Sequence, residues 1–421
     1  MNEWPRVGLT FLLLFLISWL LNLTCLFCLH PVTTPEKLDF DAREYYDLAG
    51  QVVDGSYQFD SRRVPGHFLI LAAFRSVTGN NLIALQTLVT TLASLSCPFA
   101  YLLARRFVAN ESLALLAGLA TAFWPLFLIY GRTLYSETTA LPFFTAFLAS
   151  FPRGACLGMK DSNPNWRWFA SGVLFALCML VRPMYLIFTP FIPLILWIEN
   201  GRFLMIIRPL FIFTLGSLLT LAPWSSYASY HVKKPLLLSS NGGETLAGGL
   251  NPTILQQGYR TFTTPDGRSS WSGPGKWTIE SDTGYLSSEE LKLTRSERDK
   301  LLLKRTKEWI IKNPGSALYL EFAKLGYMWG FYPFWNGWRQ TFFGNIPILF
   351  ILLLSLLAAI NLRKYWRKLA MLYTLPLFVS TVALISWGSW RFREPGDIGL
   401  IIVSVFFLCS ALAQDKLRFR S

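Results

Sequence analysis

Acidic residues suited to proton transfer follow directly on the first long apolar run of the chain. Residues 38–49 contain Asp41 and Glu44, with Tyr45 next to Glu44. Acid groups are poor neighbours for a membrane unless they take part in chemistry or bind a ligand. A carboxylate at such a boundary can take a proton from an acceptor hydroxyl or amine. Asp41 is therefore the first candidate catalytic residue.

A purely structural role for Asp41 is equally compatible with the local sequence. If residues 41–53 form a helix, Asp41 and Tyr45 lie on its apolar face, and the helix would rest on the membrane surface. Asp41 followed by Glu44 three positions later also fits a capping box, in which Asp41 only accepts hydrogen bonds from backbone amides. Both interpretations stay open at this level.

Glu137 is the second acidic candidate. It follows Ser136 in the connection between the third and fourth predicted membrane spans. A helix start explains this pair too, because Ser136 can cap the helix and Glu137 favours the positive end of the helix dipole. The predicted topology, however, brings Glu137 to the same membrane face as Asp41. Two acids at one water–lipid boundary, beside a cluster of cations, indicate a site.

Arginine residues are unexpectedly frequent on that face, because short external loops normally contain few of them. Contact with lipid headgroups accounts for some of them. A phosphate site is the sharper interpretation, since guanidinium groups bind phosphate oxygens in a bidentate manner. No spacing of His, Cys or Asp demands a metal. The candidates for phosphate binding are Arg62, Arg63, Arg182, Arg391 and Arg393.

The composition describes the elements that must hold these residues. Of 421 residues, 52% are hydrophobic and 15% are charged, which is typical of a polytopic membrane protein. A net charge of +14 would indicate a nucleic-acid partner for a soluble protein. Here basic loops beside anionic lipid explain much of it, so no nucleic acid is expected. Cys25 and Cys28 have the spacing of a redox pair but lie within a span, where we interpret them as small apolar residues.

We predict an all-α membrane protein with about ten or eleven transmembrane helices. The first apolar run is too long for a cleavable signal and is expected to act as a signal anchor. The basic short loops all fall on one side, which the positive-inside rule makes cytoplasmic, together with both termini. The ten predicted spans lie near residues 7–29, 81–104, 112–130, 137–152, 167–182, 184–199, 203–223, 344–361, 369–388 and 396–413. Arg182-Pro183 leaves open whether residues 167–199 are two spans or one kinked helix.

The predicted organisation has a transmembrane core in residues 1–223, with a first external loop at 30–80, and C-terminal helices in 344–421. Between them, residues 224–343 are predicted to form a small mixed external domain, beginning with turns rich in Gly, Asn and Pro. Residues 287–312 are predicted to be a helix capped by Ser287 or Ser288. The aromatic-rich residues 316–335 form either an interfacial helix or an eleventh, re-entrant segment.

These residues resemble the bacterial members of the GT-C membrane glycosyltransferases, the group that includes protein O-mannosyltransferases and the lipid A aminoarabinose transferase. Two positions depart from the pattern: His67 replaces an aromatic residue, and Leu250 replaces the first Asn of a Gly-Asn-Asn-Pro element. The resemblance consists of Asp41-Ala42-x-x-Tyr45-x-x-Leu48-Ala49, Arg63-x-Pro65-Gly66-His67, Ser136-Glu137, Arg182-Pro183, Pro223-Trp224 with Ser240-Asn241-Gly242-Gly243-x-x-Leu246-x-x-Gly249, and Arg391-Phe392-Arg393-x-Pro395.

The resemblance implies an inverting transfer of a sugar from a polyprenyl-phosphate donor to a lipid, glycan or protein acceptor at the outer face of the plasma (inner) membrane. It implies Asp41 as the base or acceptor-orienting group, Glu137 as its assistant, and Tyr45, His67 and Asn241 in the substrate pocket. The scheme requires no cofactor, although some relatives in the wider class use a divalent metal. A flippase for a lipid-linked sugar and a non-catalytic scaffold stay open as alternatives. Transporters usually have paired repeats, and we find none.

Overall fold

A computed structural model of the chain describes residues 4–28, 32–152, 164–257, 261–263, 269–271, 286–331 and 344–412. Within these ranges the protein is built from helices and one short antiparallel hairpin, β1 (Thr261–Thr263) with β2 (Ser269–Trp271). The α-helices are α1 (Trp4–Cys28), α2 (Phe40–Val53), α3 (Pro65–Thr78), α4 (Leu82–Ala93), α5 (Ser96–Phe107), α6 (Glu111–Ala122), α7 (Pro125–Tyr130), α8 (Ser136–Ser150), α9 (Pro164–Val181), α10 (Phe191–Asn200), α11 (Leu204–Val232), α12 (Gly242–Gly249), α13 (Pro252–Gln257), α14 (Arg295–Lys312), α15 (Pro314–Met328), α16 (Ile346–Asn361), α17 (Ala370–Ile385) and α18 (Glu394–Leu412).

Apolar helices long enough to cross a membrane support the predicted polytopic fold. Every predicted span has a helical counterpart among the described residues, so the all-α membrane architecture is confirmed. Shorter apolar helices, α6, α9, α16 and α17, pack beside the long ones. The long apolar segments are Pro5–Cys28, Leu82–Phe107, Pro183–Asn200, Leu204–Val232 and Trp390–Ala411.

Proline decides where two of the predicted spans are interrupted. The span predicted at 112–130 is divided into α6 and α7, because Trp124 precedes Pro125 and takes an extended conformation. A proline also interrupts residues 167–199, for which the sequence leaves open two spans or one kinked helix. Arg182 is extended, with φ −151° and ψ 114°, and a 3₁₀ turn follows from Pro183. This stretch is therefore two elements and not one kinked helix.

Helix α2 packs its apolar face on protein, whereas the sequence predicts that this face rests on the membrane surface. Tyr45 and Leu48 are buried in a cluster with Phe68 and Leu71 of α3 and Leu85 of α4. The apolar face of α2 is thus covered by two neighbouring helices. This packing holds the first acidic residues of α2 at a defined position beside the bundle.

The predicted helix at 287–312 begins later than expected. Ser287 and Glu290 exchange hydrogen bonds around a separate 3₁₀ turn, Glu290–Lys292. Helix α14 starts at Arg295 behind a full capping box formed by Thr294 and Glu297. The Ser/Thr-x-x-Glu signature explains the shift, because it satisfies two backbone amides at once.

The segment predicted at 316–335 corresponds in its described part to α15. One face of α15 exposes apolar side chains, including Leu318 and Phe322, while Lys324 on the opposite face is fully buried. The Lys324 ammonium donates hydrogen bonds to the backbone carbonyls of Leu384 and Ser386 at 2.8 and 3.1 Å. Residues 332–335 of the prediction lie outside the described part, and the domain division at 223 and 343 stays a prediction.

Two glycines let α9 and α11 approach each other closely. A Cβ atom on Gly172 would lie 2.0 Å from the carbonyl oxygen of Phe213, and one on Gly216 would lie 2.4 Å from that of Phe169. Side chains at these positions would force the two backbones apart. Small residues at membrane helix interfaces permit such close packing.

We therefore expect Gly172→Ala to lower the free energy of unfolding by about 1–3 kcal/mol, the usual cost of overpacking. The measurement is thermal unfolding of the purified protein in detergent. Gly8→Ala is the matched control, because an added Cβ there meets no atom within 4 Å. Equal melting temperatures for the two variants would contradict the proposed close contact.

Candidate active site

Asp41 binds two arginines that come from distant parts of the chain. Its Oδ1 accepts a hydrogen bond from Nη2 of Arg63 at 2.6 Å, and its Oδ2 accepts one from Nη2 of Arg391 at 2.6 Å. The carboxylate is 22% exposed, so it faces both protein and solvent. Arg391 lies in the 3₁₀ turn Trp390–Arg393, between α17 and α18. Asp41 thus joins α2 to the turn between α17 and α18.

The capping-box interpretation of Asp41 is wrong. Helix α2 begins at Phe40, so Asp39 takes the N-cap position, and no side chain caps the helix there. Glu44 does not reach back to the helix start either. Its Oε2 accepts hydrogen bonds from Nη2 and Nε of Arg63 at 2.5 and 3.0 Å. Both acids of the supposed box bind the same guanidinium group.

These ion pairs determine the protonation of Asp41. Burial would raise the pKa of its carboxyl, but the charges of Arg391 and Arg63 outweigh burial and hold the pKa well below its usual range. Burial would lower the pKa of the Arg63 guanidinium. The anionic groups around Arg63 outweigh burial and raise this pKa well above its usual value. In this arrangement Asp41 is an anion and a weak base.

Glu137 forms the second half of the cluster. Its side chain is only 4% exposed, and its Oε1 lies 3.0 Å from Nε of Arg391. Its Oε2 pairs with Nη1 of Arg182. Ser136 links these groups, because its hydroxyl accepts from Arg182 at 3.1 Å and donates to Glu137 at 3.1 Å. Arg391 therefore bridges the two predicted acids, and Arg182 fixes the second of them.

Aromatic rings cover the guanidinium groups. Arg391 lies 4.9 Å from the ring centroid of Tyr135, and Arg182 lies 4.8 Å from that of Phe392. The hydroxyl of Tyr135 donates to Asp39 at 2.6 Å. Cation–π contacts and partial desolvation strengthen charge interactions at such a position.

Helix α12 reaches the cluster through Arg62. Its Nη1 lies 3.5 Å from Glu44, and its Nη2 lies 3.5 Å from Glu244 of α12. One turn earlier, the backbone amide of Ser240 donates to the carbonyl of Ser61 at 2.8 Å. The adjacent Asn241 precedes α12, and its Oδ1 accepts from Ser239 at 3.1 Å. The structure thus brings Asn241 to the edge of the cluster.

Tyr45 and His67 lie beneath the ion pairs. The Tyr45 hydroxyl accepts from Nη1 of Arg63 at 3.2 Å, and its ring packs edge-on against the fully buried His67 at 4.5 Å. His67 Nε2 lies 2.9 Å from the carbonyl of Leu134, and Nδ1 lies 2.9 Å from the hydroxyl of Thr139. A carbonyl only accepts, so Nε2 carries the hydrogen and the neutral ring accepts from Thr139. His67 thus supports the ring of Tyr45 by an edge-on contact.

Arg393 is the one predicted phosphate-binding residue that the structure keeps away from the cluster. It is almost fully buried, and its Nε lies 3.1 and 3.2 Å from the two carboxylate oxygens of Asp397. Its Nη1 donates to the carbonyl of Met328 at 2.8 Å, and Nε1 of Trp124 donates to Oδ2 of Asp397 at 2.6 Å. This geometry assigns Arg393 a structural contact.

Sequence reasoning missed three contributors. Glu44 was considered only as a capping residue, although it shares a helix face with Asp41 three positions away. Tyr135 stands two residues before Glu137, and that proximity was an available signal. Glu244 carried no signal, because only the fold brings α12 to Arg62. Within the described residues, no group of three or more His, Cys, Asp or Glu is arranged to hold a metal ion.

Comparisons with known proteins identify the fold. No protein family model matches the sequence, and no curated protein is significantly similar to it. Among solved structures, the apo oligosaccharyltransferase from Archaeoglobus fulgidus aligns with a TM-score of 0.55 at 14% identity, over 98% of this chain and 52% of that one. The same archaeal enzyme, AglB, in complex with an inhibitory peptide and a dolichol-phosphate, aligns with a TM-score of 0.52 at 13% identity, over 96% of this chain and 50% of that one.

ArnT from Cupriavidus metallidurans bound to undecaprenyl phosphate also aligns, with a TM-score of 0.43 at 12% identity, over 98% of this chain and 80% of that one. The chain spans about half the length of the archaeal oligosaccharyltransferase. At such identities a likeness establishes the fold and not the activity. The chain therefore has the GT-C-like fold of polytopic membrane proteins that the sequence predicted.

His67 makes stability depend on pH. Burial lowers the pKa of the His67 imidazole to about 4. Its effect is larger than the opposite effects of the Leu134 carbonyl and Glu137, which raise the pKa. The unfolded chain keeps a pKa near 6.5, so the folded state binds fewer protons between these values. The stability that neutral His67 contributes is full above about pH 6.5 and is lost as the pH falls toward 4, by roughly 3 kcal/mol in total.

We expect the His67→Gln variant to show a weaker dependence of the melting temperature on pH between 6.5 and 4. The His231→Gln variant, at an exposed histidine, should keep the pH dependence of the unchanged chain.

The Asp41–Arg391 contact can be measured with a double-mutant cycle. Asp41→Asn and Arg391→Gln should couple by about 1–3 kcal/mol in the free energy of unfolding, because the pair is largely shielded from solvent. The exposed pair Arg43–Asp47 on the same helix is the matched control, with expected coupling below about 0.5 kcal/mol. Similar coupling in both pairs would show that the buried contact is not formed in solution.

Proposed function

We propose that this chain is a glycosyltransferase that moves a sugar from a polyprenyl-phosphate donor to an acceptor at the outer face of the membrane. The observation that carries the proposal is the bridge from Arg391 to both Asp41 and Glu137. It provides proton-accepting carboxylates and phosphate-binding guanidinium groups within one cluster. The GT-C-like fold adds support, because the archaeal oligosaccharyltransferase of that fold was solved with a dolichol-phosphate.

The orientation of α17 supports an external location for the cluster. This helix of 16 residues runs from a basic turn, Arg363–Tyr365, to the turn that carries Arg391. At 1.5 Å per residue its two ends are about 24 Å apart, close to the thickness of the hydrocarbon layer. With the basic turn on the cytoplasmic side, as the positive-inside rule requires, Arg391 and Asp41 face the periplasmic or extracellular side.

The donor phosphate would compete with carboxylates for the guanidinium groups. Arg63 and Arg391 each donate to Asp41. Arg62 lies beside them and pairs with Glu44 and Glu244. A phosphate offers several strong acceptor oxygens, and arginine binds it in a bidentate manner. We therefore assign Arg63 first, with Arg391, Arg62 and Arg182, to the phosphate of the donor.

This exchange of partners would turn Asp41 into a base. While both arginines bind its carboxylate, the pKa of Asp41 stays well below its usual range. When the phosphate takes over one or both arginines, that pKa rises toward its ordinary value and the carboxylate accepts a proton more readily. The base becomes effective only when the donor is bound, which limits reaction without the donor.

The transfer itself is a displacement at the anomeric carbon. The acceptor oxygen or nitrogen attacks, its proton passes to Asp41, and the bond to the phosphate oxygen breaks, with the arginines holding the growing negative charge. One in-line displacement inverts the anomeric centre. Glu137 keeps Arg391 and Arg182 in place. The scheme requires no metal or other cofactor, and the acceptor is a lipid, a glycan or a protein.

Replacement of Asp41 by Asn should reduce sugar transfer by about 10²–10⁴-fold, the range expected for loss of a general base. Mass spectrometry of envelope glycans from cells with and without the protein first identifies the sugar and the acceptor. The rate is then measured as release of polyprenyl phosphate from the purified protein in vitro.

Asp47→Asn is the control, because Asp47 lies on the same helix and its carboxylate binds only the exposed Arg43 among the described residues. It should transfer sugar at the normal rate. Unchanged transfer by Asp41→Asn would exclude Asp41 as the base. Movement of lipid-linked sugar across proteoliposomes without any transfer would instead support the flippase.

A further inference from the structure

A small polar cavity lies inside the helical bundle, between α1, α5, α6, α8 and the start of α18. It has room for a group of the size of a water molecule. Buried polar groups that line such a space normally find a partner in it. Its polar lining consists of Ser18, Asn22, Ser96, Thr121, Thr138 and Glu394.

Two oxygen atoms of this lining have no hydrogen-bond partner in the described part of the chain. Asn22 is 4% exposed, and its Nδ2 donates to the carbonyl of Ser18 at 2.9 Å, while its Oδ1 receives no donor. Ser96 is 5% exposed, and its hydroxyl is also without a partner. Gly131 leaves the space beside Asn22 open, since a Cβ atom there would lie 2.5 Å from Oδ1. The cavity therefore suits an occupant that contacts both the side-chain carbonyl oxygen of Asn22 and the hydroxyl of Ser96.

Glu394 adds a carboxyl group to the same cavity. Glu394 is 3% exposed, and its carboxyl group makes no hydrogen bond or ion pair with the side chain or backbone of any described residue. The guanidinium groups that act on it electrostatically, Arg182 and Arg391, are bound to Glu137. An ionised carboxylate inside a protein is strongly unfavourable without a positive partner.

We propose that the cavity binds one monovalent cation of the size of Na⁺, with Glu394 as its charged ligand and Asn22 and Ser96 as neutral oxygen ligands. A single carboxylate among neutral oxygens suits a monovalent ion, whereas Ca²⁺ sites commonly use several carboxylates. A proton on Glu394 would supply one donor and the Ser96 hydroxyl a second, while a cation is coordinated by the oxygens of all three groups at once.

This site goes beyond the proposed sugar transfer, whose steps do not involve the cavity. The ion would join α1, α5 and α18 through three ligands that lie far apart in the sequence. It would also place a positive charge behind the acidic cluster, on the side of Glu394. Its effect is therefore expected on the stability of the bundle.

The test uses the full chain purified in detergent. Thermal unfolding is followed by tryptophan fluorescence while NaCl replaces choline chloride stepwise at constant ionic strength. The melting temperature should rise with Na⁺ and then saturate, as expected for a ligand that binds only the folded state. Equilibrium binding of radioactive Na⁺ should reach one ion per chain.

Two variants make the result specific. Glu394→Gln and Asn22→Leu should each remove the rise and the bound ion, and either variant suffices if the other does not fold. Asn200→Leu is the control, because Asn200 bonds only to the carbonyl of Leu196 in the described structure, outside the cavity. It should keep the full response. A melting temperature that is independent of Na⁺ in the unchanged chain, or a response retained by Glu394→Gln, would overturn the proposal and leave water as the occupant.

Discussion

The bridge that Arg391 forms between Asp41 and Glu137 is the interaction on which the arrangement of the cluster depends. Asp41 and Arg391 are 350 positions apart, and Glu137 belongs to a third element. A guanidinium group can do this because its five N–H donors lie in one plane and point in different directions. Three separate parts of the bundle are thereby held at one point.

The cluster around that bridge contains equal numbers of acidic and basic side chains. The cluster sets the acids Asp41, Glu44, Glu137 and Glu244 against the cations Arg62, Arg63, Arg182 and Arg391. Such a network is stable because every buried charge has an opposite partner, whereas removal of one member leaves its partner uncompensated. In the proposed reaction, an incoming phosphate would disturb this balance and so favour release of the carboxylate of Asp41.

The backbone around the cluster is held by contacts that leave little freedom. Lys324 binds the carbonyls at the end of α17, just before the turn that carries Arg391. A Cβ atom on Gly388 would lie 2.0 Å from the carbonyl oxygen of Lys324, so the turn and α15 are in direct backbone contact. Ser61 and Ser240 fix the other side. Preorganised positions of this kind are what an active site needs to stabilise charge without reorganisation.

The sequence by itself determined the apolar helices and identified several residues that the cluster brings together, among them Asp41, Glu137 and Arg391. These are local properties, because apolar length, helix-breaking residues and loop charge are read within a few positions. Only the tertiary structure decided which role each residue takes. Capping of α2 by Asp41 is equally compatible with the sequence, since local patterns contain no information about an arginine that arrives from the turn between α17 and α18. Arg391 and Arg393 looked equivalent for the same reason, yet side chains two positions apart in a 3₁₀ turn point in different directions, and one reaches Asp41 while the other is buried against Asp397.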